Sequence, residues 1–368
     1  MHDALTETSH RITLLRFPLI VGVVFIHAYG VEENFSDSAI RIASVSTTLN
    51  FVQNLFSQVL ARVAVPLFYA ISGFLFFSMF DGSTKSYETK LRSRVNTLLI
   101  PYLTWNALTI ICFALVQTYP LTSNYLSGQN KLIAEFGLLD YLNAFAGYGP
   151  KRQPIAYQLW YIRDLILLVL LVPAITVLAR NWPKVLLASS AAIWFCINHK
   201  HSLPIDPGAW LFFCLGAVIA GNITWLANVD RVGTWATCIY IGVAILDAAL
   251  PRTHASGMIT HKAGICIGII TAWYLIGKLP KASRTAQALV RVAPFSFFVF
   301  AAHALILTTV KKLAYKVIVP ESETTILLIY FLAPMVTITI TLGAGVTLHR
   351  FAPNAFKILS GGRKSRLT

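Results

Sequence analysis

Ten stretches of this chain are nearly free of charge: roughly 12–30, 56–79, 96–118, 157–179, 184–198, 208–223, 233–250, 262–278, 294–314 and 325–348. Between Leu165 and Ala179 the only polar side chain is Thr176, and the apolar run is continuous with Tyr157. About 20 apolar residues in a helix cross the hydrocarbon core of a bilayer. Inside that core the backbone has no water to bond, so each crossing segment must satisfy its own N–H and C=O groups as a helix. The pattern predicts an all-α polytopic membrane protein of about ten transmembrane helices, a single membrane domain filling residues 1–368. The first stretch has no small-residue cleavage site and is followed by further spans, so it is expected to stay in the mature chain rather than leave as a signal peptide. Residues 119–155 are the longest polar interruption and form an outer loop in this scheme.

Composition agrees with the pattern. Of 368 residues, 56% are hydrophobic and 12% charged, against about 25% charged in soluble proteins; the mean hydropathy is +0.65. The net charge of +15 would suit a nucleic-acid binder if it covered one soluble face. Here the basic residues sit in short loops between apolar helices, where cytoplasmic loops collect Lys and Arg. With the N-terminus inside, the inner side receives Arg11, Lys85, Lys90, Arg92, Arg94, Arg180, Lys278, Lys281, Arg284, Arg363, Lys364 and Arg366, among others. The outer side receives fewer, including Arg41, Lys151, Arg152, Lys200, Arg252 and Lys311, and Arg62 and Arg163 fall within or near the membrane. The bias predicts both termini inside, anionic membrane lipids as partners, and no nucleic acid.

The five cysteines lie in separate spans with no CxxC pair and no His at ligand spacing, so they are expected to be packing residues. No Walker loop, GxGxxG or HExxH is present, and nothing argues for a metal, a nucleotide-driven motor or a dinucleotide.

The chemistry is in four short stretches. "RFPLIVGVVFIH" puts Arg16 and His27 eleven residues apart, within about 20° of one face of a helix and ~16 Å along its axis. Ionisable groups inside a span are costly and turn toward the protein interior or a wet cavity, which makes His27 a functional candidate; the plainer reading is a neutral imidazole bridging two helices. "ARVAVPLFYAISGF" carries Arg62, Ser72 and Gly73. A Ser-Gly pair more often lets helices pack closely than performs chemistry. On an unbroken helix Arg62 has no acidic neighbour within a turn, so Asp164 from another span is its expected partner, unless span two starts later and Arg62 sits at the interface. "KLRSRVNTLLIPYLTW" is a basic flank running into a proline-containing span, and "YQLWYIRDLILL" carries Arg163 and Asp164 near its outer end. These two are sequential and are not expected to face one another. His303 reads first as a satisfied interhelical histidine.

In this order the four stretches resemble the membrane-bound acyltransferase 3 family of bacterial inner-membrane O-acyltransferases. Arg16 and His27 match its Arg, ten residues, His signature, and "PLFYAISGF", Pro66 to Phe74, is similar to its "PLFF..SGF" helix. Arg94 to Tyr102 resemble its "R...LL.PY" segment, and Leu159, Trp160 and Tyr161 its "LWF" helix entry. Ser296 and His303 lie in a stretch similar to its late helix, and "LSGGR", Leu359 to Arg363, looks like the ending of the subgroup that acetylates oligosaccharides and exopolysaccharides. Tyr69 and Tyr161 depart from the family's phenylalanines, and residues 180–290 match only in hydropathy.

The resemblance implies transfer of an acyl group, commonly acetyl from acetyl-CoA as co-substrate, to a hydroxyl of a lipid-linked or polymeric saccharide, in the bacterial inner membrane. It implies no permanently bound cofactor. A sugar hydroxyl becomes a good nucleophile only as a positioned base takes its proton, and the pKa of histidine suits that task, so His27 is the expected base. Arg16 is placed to meet the donor or set the field. Arg92, Arg94 and Arg62 are the candidates for the donor's phosphates, and Ser72 or a backbone donor near Gly73 for the oxyanion. Trp160, Arg163, Asp164 and His303 are the candidates on the saccharide side, together with the outer loop. The rival class is a transporter or flippase of a lipid-linked saccharide lined by the same Arg and His, but no internal repeat of the kind transporters often show is evident.

Overall fold

The computed structural model describes residues 2–30, 47–118, 131–148, 153–197, 203–320 and 322–362. Arg41, Lys151, Arg152, Lys200, Arg363, Lys364, Arg366 and residues 119–130 of the outer loop lie outside the described residues. Among the described residues the chain is helical throughout, with no strand. In order the helices are α1 (His2–Ala28), α2 (Thr47–Gln53), α3 (Ala64–Phe77), α4 (Thr84–Arg94), α5 (Ile100–Thr118), α6 (Leu138–Ala146), α7 (Trp160–Leu170), α8 (Val172–Asn181), α9 (Pro183–Cys196), α10 (Pro207–Gly221), α11 (Trp225–Ala249), α12 (Ala255–Gly277), α13 (Arg284–Val292), α14 (Ser296–Ile318), α15 (Glu323–Phe351) and α16 (Pro353–Ser360).

Each apolar stretch of the sequence is helical. Seven helical runs of 23 to 35 residues are long and apolar enough to cross a membrane, and α7 with α8 makes an eighth if the pair, bent by 67°, is one span. The two remaining segments, α9 and α10, are shorter. At 14 and 15 residues they rise only about 21–23 Å, less than the ~30 Å hydrocarbon thickness. Large apolar side chains such as Leu115, Val185, Trp235 and Leu328 are exposed around the bundle, as a protein solvated by lipid requires.

Proline explains where the long helices depart from regularity. It cannot donate to the carbonyl four residues back and its ring crowds that oxygen. One turn before Pro66 the chain makes a 3-10 turn, Ala61–Val63, and this follows directly on a π-helical stretch, Asn54–Leu60. One turn before Pro101 lies a second π stretch, Val95–Leu99. Pro173 opens α8 at the 67° bend. Arg62 therefore sits on a 3-10 turn, not on an unbroken α-helix.

Contacts between loops sort the chain into two ends. At the end carrying the start of α1, called the inner end after the side the loop charges predict, Glu7 meets Lys281 at 2.6 Å, Arg11 meets Asp230 at 2.7 Å, and Arg180 donates to the Asp81 carbonyl at 2.9 Å. At the opposite end Lys262 donates to the Trp194 carbonyl at 2.7 Å and buried Lys311 to the Gly30 carbonyl at 3.2 Å. These pairs join segments that the loop charges assign to the same side. Lys311 also bonds the Ala28 carbonyl, placing a cation against the negative end of the α1 dipole.

The core is tightest where α3 crosses α10. A methyl on Gly73 would lie 2.1 Å from the Phe213 carbonyl oxygen, and one on Gly216 would lie 2.0 Å from that of Ala70. Close approach of this kind is what small residues provide between membrane helices. Gly73 is thus a packing residue of α3, not a free backbone donor. Gly73→Ala is expected to destabilise the bundle by about 1–3 kcal/mol, the usual penalty of overpacking, read as a shorter half-life of the folded protein at fixed temperature in mild detergent. Of the cysteines, Cys214 is buried and Cys112 and Cys266 half-buried, but Cys196 and Cys238 are exposed, so only some are core packing; none is disulfide-bonded.

The described part of the outer loop is less polar than its composition suggests. α6 leaves Leu138, Leu139 and Leu142 exposed, the mark of a helix lying in a membrane interface. Its Asp140 is held below the usual carboxylate range by Lys131, 2.6 Å away. The segment then dips inward. Tyr102 of α5 donates to the Phe145 carbonyl, and Asn106 Oδ1 accepts from the Ala156 N–H at 3.1 Å.

Candidate active site

His27 lies in the last turn of α1, half-buried, and its ring faces protein, not lipid. It stands edge-on to Tyr157 at 5.1 Å and tilted against His303 at 5.3 Å between ring centres. His303, on α14, is fully buried. Its Nδ1 lies 2.6 Å from the Phe300 carbonyl, and because a carbonyl only accepts, Nδ1 carries the proton. Nε2 of His303 has no hydrogen-bond partner among the described residues, and neither has Oε1 of buried Gln158, whose amide nitrogen donates to the Ala301 carbonyl at 2.7 Å. Unsatisfied buried polar atoms are rare and costly; one of them, His303 Nε2, belongs to the ring packed against His27.

Toward the inner end a cavity of about 150 Å³ is lined by Arg16, Ser72, Arg94, Tyr161, Ser296 and Phe300, among others. Three candidates separated by up to 78 positions in the sequence, Arg16, Ser72 and Arg94, are brought to one wall system. Among the described residues neither Arg16 nor Arg94 makes an ion pair. Ser72 Oγ is 3.1 Å from the Tyr161 hydroxyl. The tyrosine that departs from the family's phenylalanine is therefore the partner of the candidate oxyanion donor, a polar group the sequence comparison did not weigh. Val23, one turn of α1 below His27, lines this cavity, and Phe300 forms its wall while its carbonyl holds His303. Arg92 lies apart, exposed on α4.

A second, more polar cavity of about 390 Å³ lies toward the other end. Ile26 of α1 lines it, and Val65 lines both cavities. Arg62 and Trp160 belong to this one, so Arg62 is separated from Arg16 and Arg94. The partner of Arg62 is Gln58, one turn away, whose Oε1 accepts from Nε and Nη2 at 3.0 and 2.6 Å. Spacing of four residues was the available signal.

Asp164 is not the partner of Arg62. It is bound by its own neighbour: Arg163 Nε and Nη2 donate to Asp164 Oδ1 at 3.0 and 2.7 Å. The two backbone positions do diverge on a helix, but both lie in the first turn of α7, where the long arginine side chain has room to fold back. Arg163 Nη1 also donates to the Gly147 carbonyl at 3.1 Å, and Asp164 Oδ2 accepts from the Asp206 N–H at 3.0 Å. This pair ties loops together at the outer end.

A family model described as an acyltransferase domain matches residues 9–345. The chain belongs to the acyltransferase 3 family. The matched range takes in every candidate from Arg16 to His303, and it sets the chain among acyl-transferring enzymes, not among transporters. It is also similar to the succinoglycan biosynthesis protein ExoH of Rhizobium meliloti (strain 1021), 25% identical over 378 aligned residues that cover 97% of this chain and 93% of that one. No solved structure matches it.

Proposed function

We propose that this acyltransferase moves an acetyl group from acetyl-CoA, drawn from the cytosol, to a hydroxyl of a cell-envelope or secreted saccharide, with His27 as general base. The protein sits in the bacterial inner membrane with both termini in the cytosol. The saccharide acceptor is suggested by the name of the similar protein, which places that relative in glycan biosynthesis. The observation that carries the reading is the inner cavity, which gathers Arg16, Ser72 and Arg94 one turn of α1 below His27.

Neutral His27 takes the acceptor's proton as the hydroxyl oxygen attacks the thioester carbon. The carbonyl oxygen becomes an oxyanion, which the hydroxyl pair Ser72 and Tyr161 is placed to stabilise. Collapse breaks the carbon–sulfur bond and the departing thiolate takes the proton back from His27, leaving an ester and free CoA. Arg16 and Arg94 supply positive charge for the donor's phosphates in a cavity where water screens them little.

Purified protein in liposomes, given acetyl-CoA and an oligosaccharide acceptor, tests this. Release of free CoA that depends on the acceptor is expected; passage of the saccharide across the vesicle without CoA release overturns the reading in favour of transport. In the same assay Arg94→Gln is expected to raise the KM for acetyl-CoA by about tenfold or more, the worth of one charge-assisted contact. Arg92→Gln, on the exposed face of α4, is expected to change it much less.

A further inference from the structure

The outer cavity has a charge imbalance that the proposed chemistry does not use. Two guanidinium groups converge on one neutral amide. Arg62 holds Gln58 Oε1 through two nitrogens, while Arg252 Nη1 reaches the same oxygen at 3.3 Å and Nη2 the Gln58 carbonyl at 3.0 Å. Two carboxylates lie nearby, and neither pairs with Arg62. Asp206 caps α10 by accepting from the N–H groups of Gly208 and Ala209 at 2.8 and 3.1 Å. Asp247 meets His261 through Oδ2 at 2.8 Å and pairs loosely with Arg252 through Oδ1 at 3.6 Å, an oxygen with no hydrogen bond among the described residues. Lys262, also on the wall, donates to carbonyls at the end of α9 and adds a further positive charge. Arg62 has no carboxylate partner among the described residues, and Arg252 Nε is buried with no hydrogen-bond partner among them. Like charges held together at the level of a membrane are unfavourable unless an anion joins them.

We propose that this cavity binds the oxyanion, carboxylate or phosphate, of the acceptor, and so makes the enzyme selective for an anionic saccharide or its phosphate-bearing lipid carrier. The inference rests on the acetyl-transfer reading above and assigns Arg62 to the acceptor in place of the donor. A volume of about 390 Å³ is within the range of small-ligand sites. A guanidinium fork matches both oxyanions in bidentate geometry. Trp160, half-buried on the same wall, offers aromatic surface of the kind a sugar ring stacks on. The position also fits, because Ile26 and Val65 place this cavity against the His27 turn from the side opposite to Arg16 and Arg94.

Binding is tested without turnover, so that failure of the site and failure of the transferase reading separate. The full-length protein in detergent is melted with glucuronate, with inorganic pyrophosphate, or with neither. A saturable rise in melting temperature is expected for the wild type and is expected to vanish in the Arg62→Gln, Arg252→Gln double variant. Protection by glucuronate alone assigns the oxyanion to the saccharide, and protection by pyrophosphate alone to the lipid carrier. No protection by either, or equal protection of wild type and variant, overturns the proposal. Should the double variant not fold, Arg252→Lys keeps the charge without the fork and is expected to weaken the protection. In liposomes, the KM for a glucuronate-containing oligosaccharide is expected to rise about tenfold in Arg252→Gln, with the KM for acetyl-CoA unmoved; a matching rise for the carboxyl-reduced oligosaccharide would refute an oxyanion role.

Discussion

Replacing His27 by alanine is expected to lower acceptor-dependent CoA release by about 10²- to 10⁴-fold, the usual contribution of a positioned acid–base group. The protein itself should still insert and accumulate. His27 makes no hydrogen bond to the described residues, and its ring contacts are an edge-on one with Tyr157 and a tilted one with His303, so its removal costs packing at one turn of α1 and leaves the rest of that helix in place. His303 provides the contrast. It is fully buried and bonded to the Phe300 carbonyl, so His303→Ala is expected to lose stability as well as rate, because it opens a cavity and frees a buried carbonyl. The discriminating measurement is the ratio of CoA release to folded protein recovered. A His27→Ala protein that acetylates at the normal rate would show that another group removes the proton.

The all-helical, membrane-crossing character was legible because bilayer physics forces it: apolar runs of this length have no other stable form, and every predicted run is helical. The irregularities were less legible, although their cause was printed in the sequence. Pro66, Pro101 and Pro173 each perturb the preceding turn, and a reading that assumes an unbroken α-helix through Arg62 misses the 3-10 turn on which it sits. The two short helices α9 and α10 were already short as sequence, 184–198 and 208–223; the structure adds what ends them, the Asp206 cap of α10 and the bonds from Lys262 to the carbonyls that close α9.

The candidate site was legible in part for the same reason. Arg16 and His27 share a helix, so geometry alone relates them. That Ser72 and Arg94 reach the same cavity depends on tertiary packing, which residue type and spacing do not encode. Arg92 and Arg94 look equivalent as sequence, yet they are two positions apart on a helix and point in different directions, one outward and one to the cavity. Gln58, Arg252, Asp247 and His261 were not singled out, because a neutral amide and loop-end charges carry no motif of their own.

The Asp164→Ala substitution is expected to be among the most damaging to stability, at about 3 kcal/mol or more, because removing one member of a buried ion pair leaves the other without compensation. Asp164 is fully buried and joins three parts of the chain: its neighbour Arg163, through that arginine the Gly147 carbonyl after α6, and the Asp206 N–H that opens α10. α10 is the helix against which Gly73 and the Ser72 turn of α3 are packed. Loss of Asp164 therefore loosens the inner cavity indirectly, and a fall in turnover is expected alongside a shorter half-life in detergent. Asp164→Asn keeps an acceptor for the Asp206 N–H but gives up the charge, so it is expected to retain more of both. If the two variants prove equally unstable, the charge on Asp164, and not its hydrogen bond to α10, is what secures the outer end of the bundle; if neither is destabilised, the clamp described here does not hold the fold.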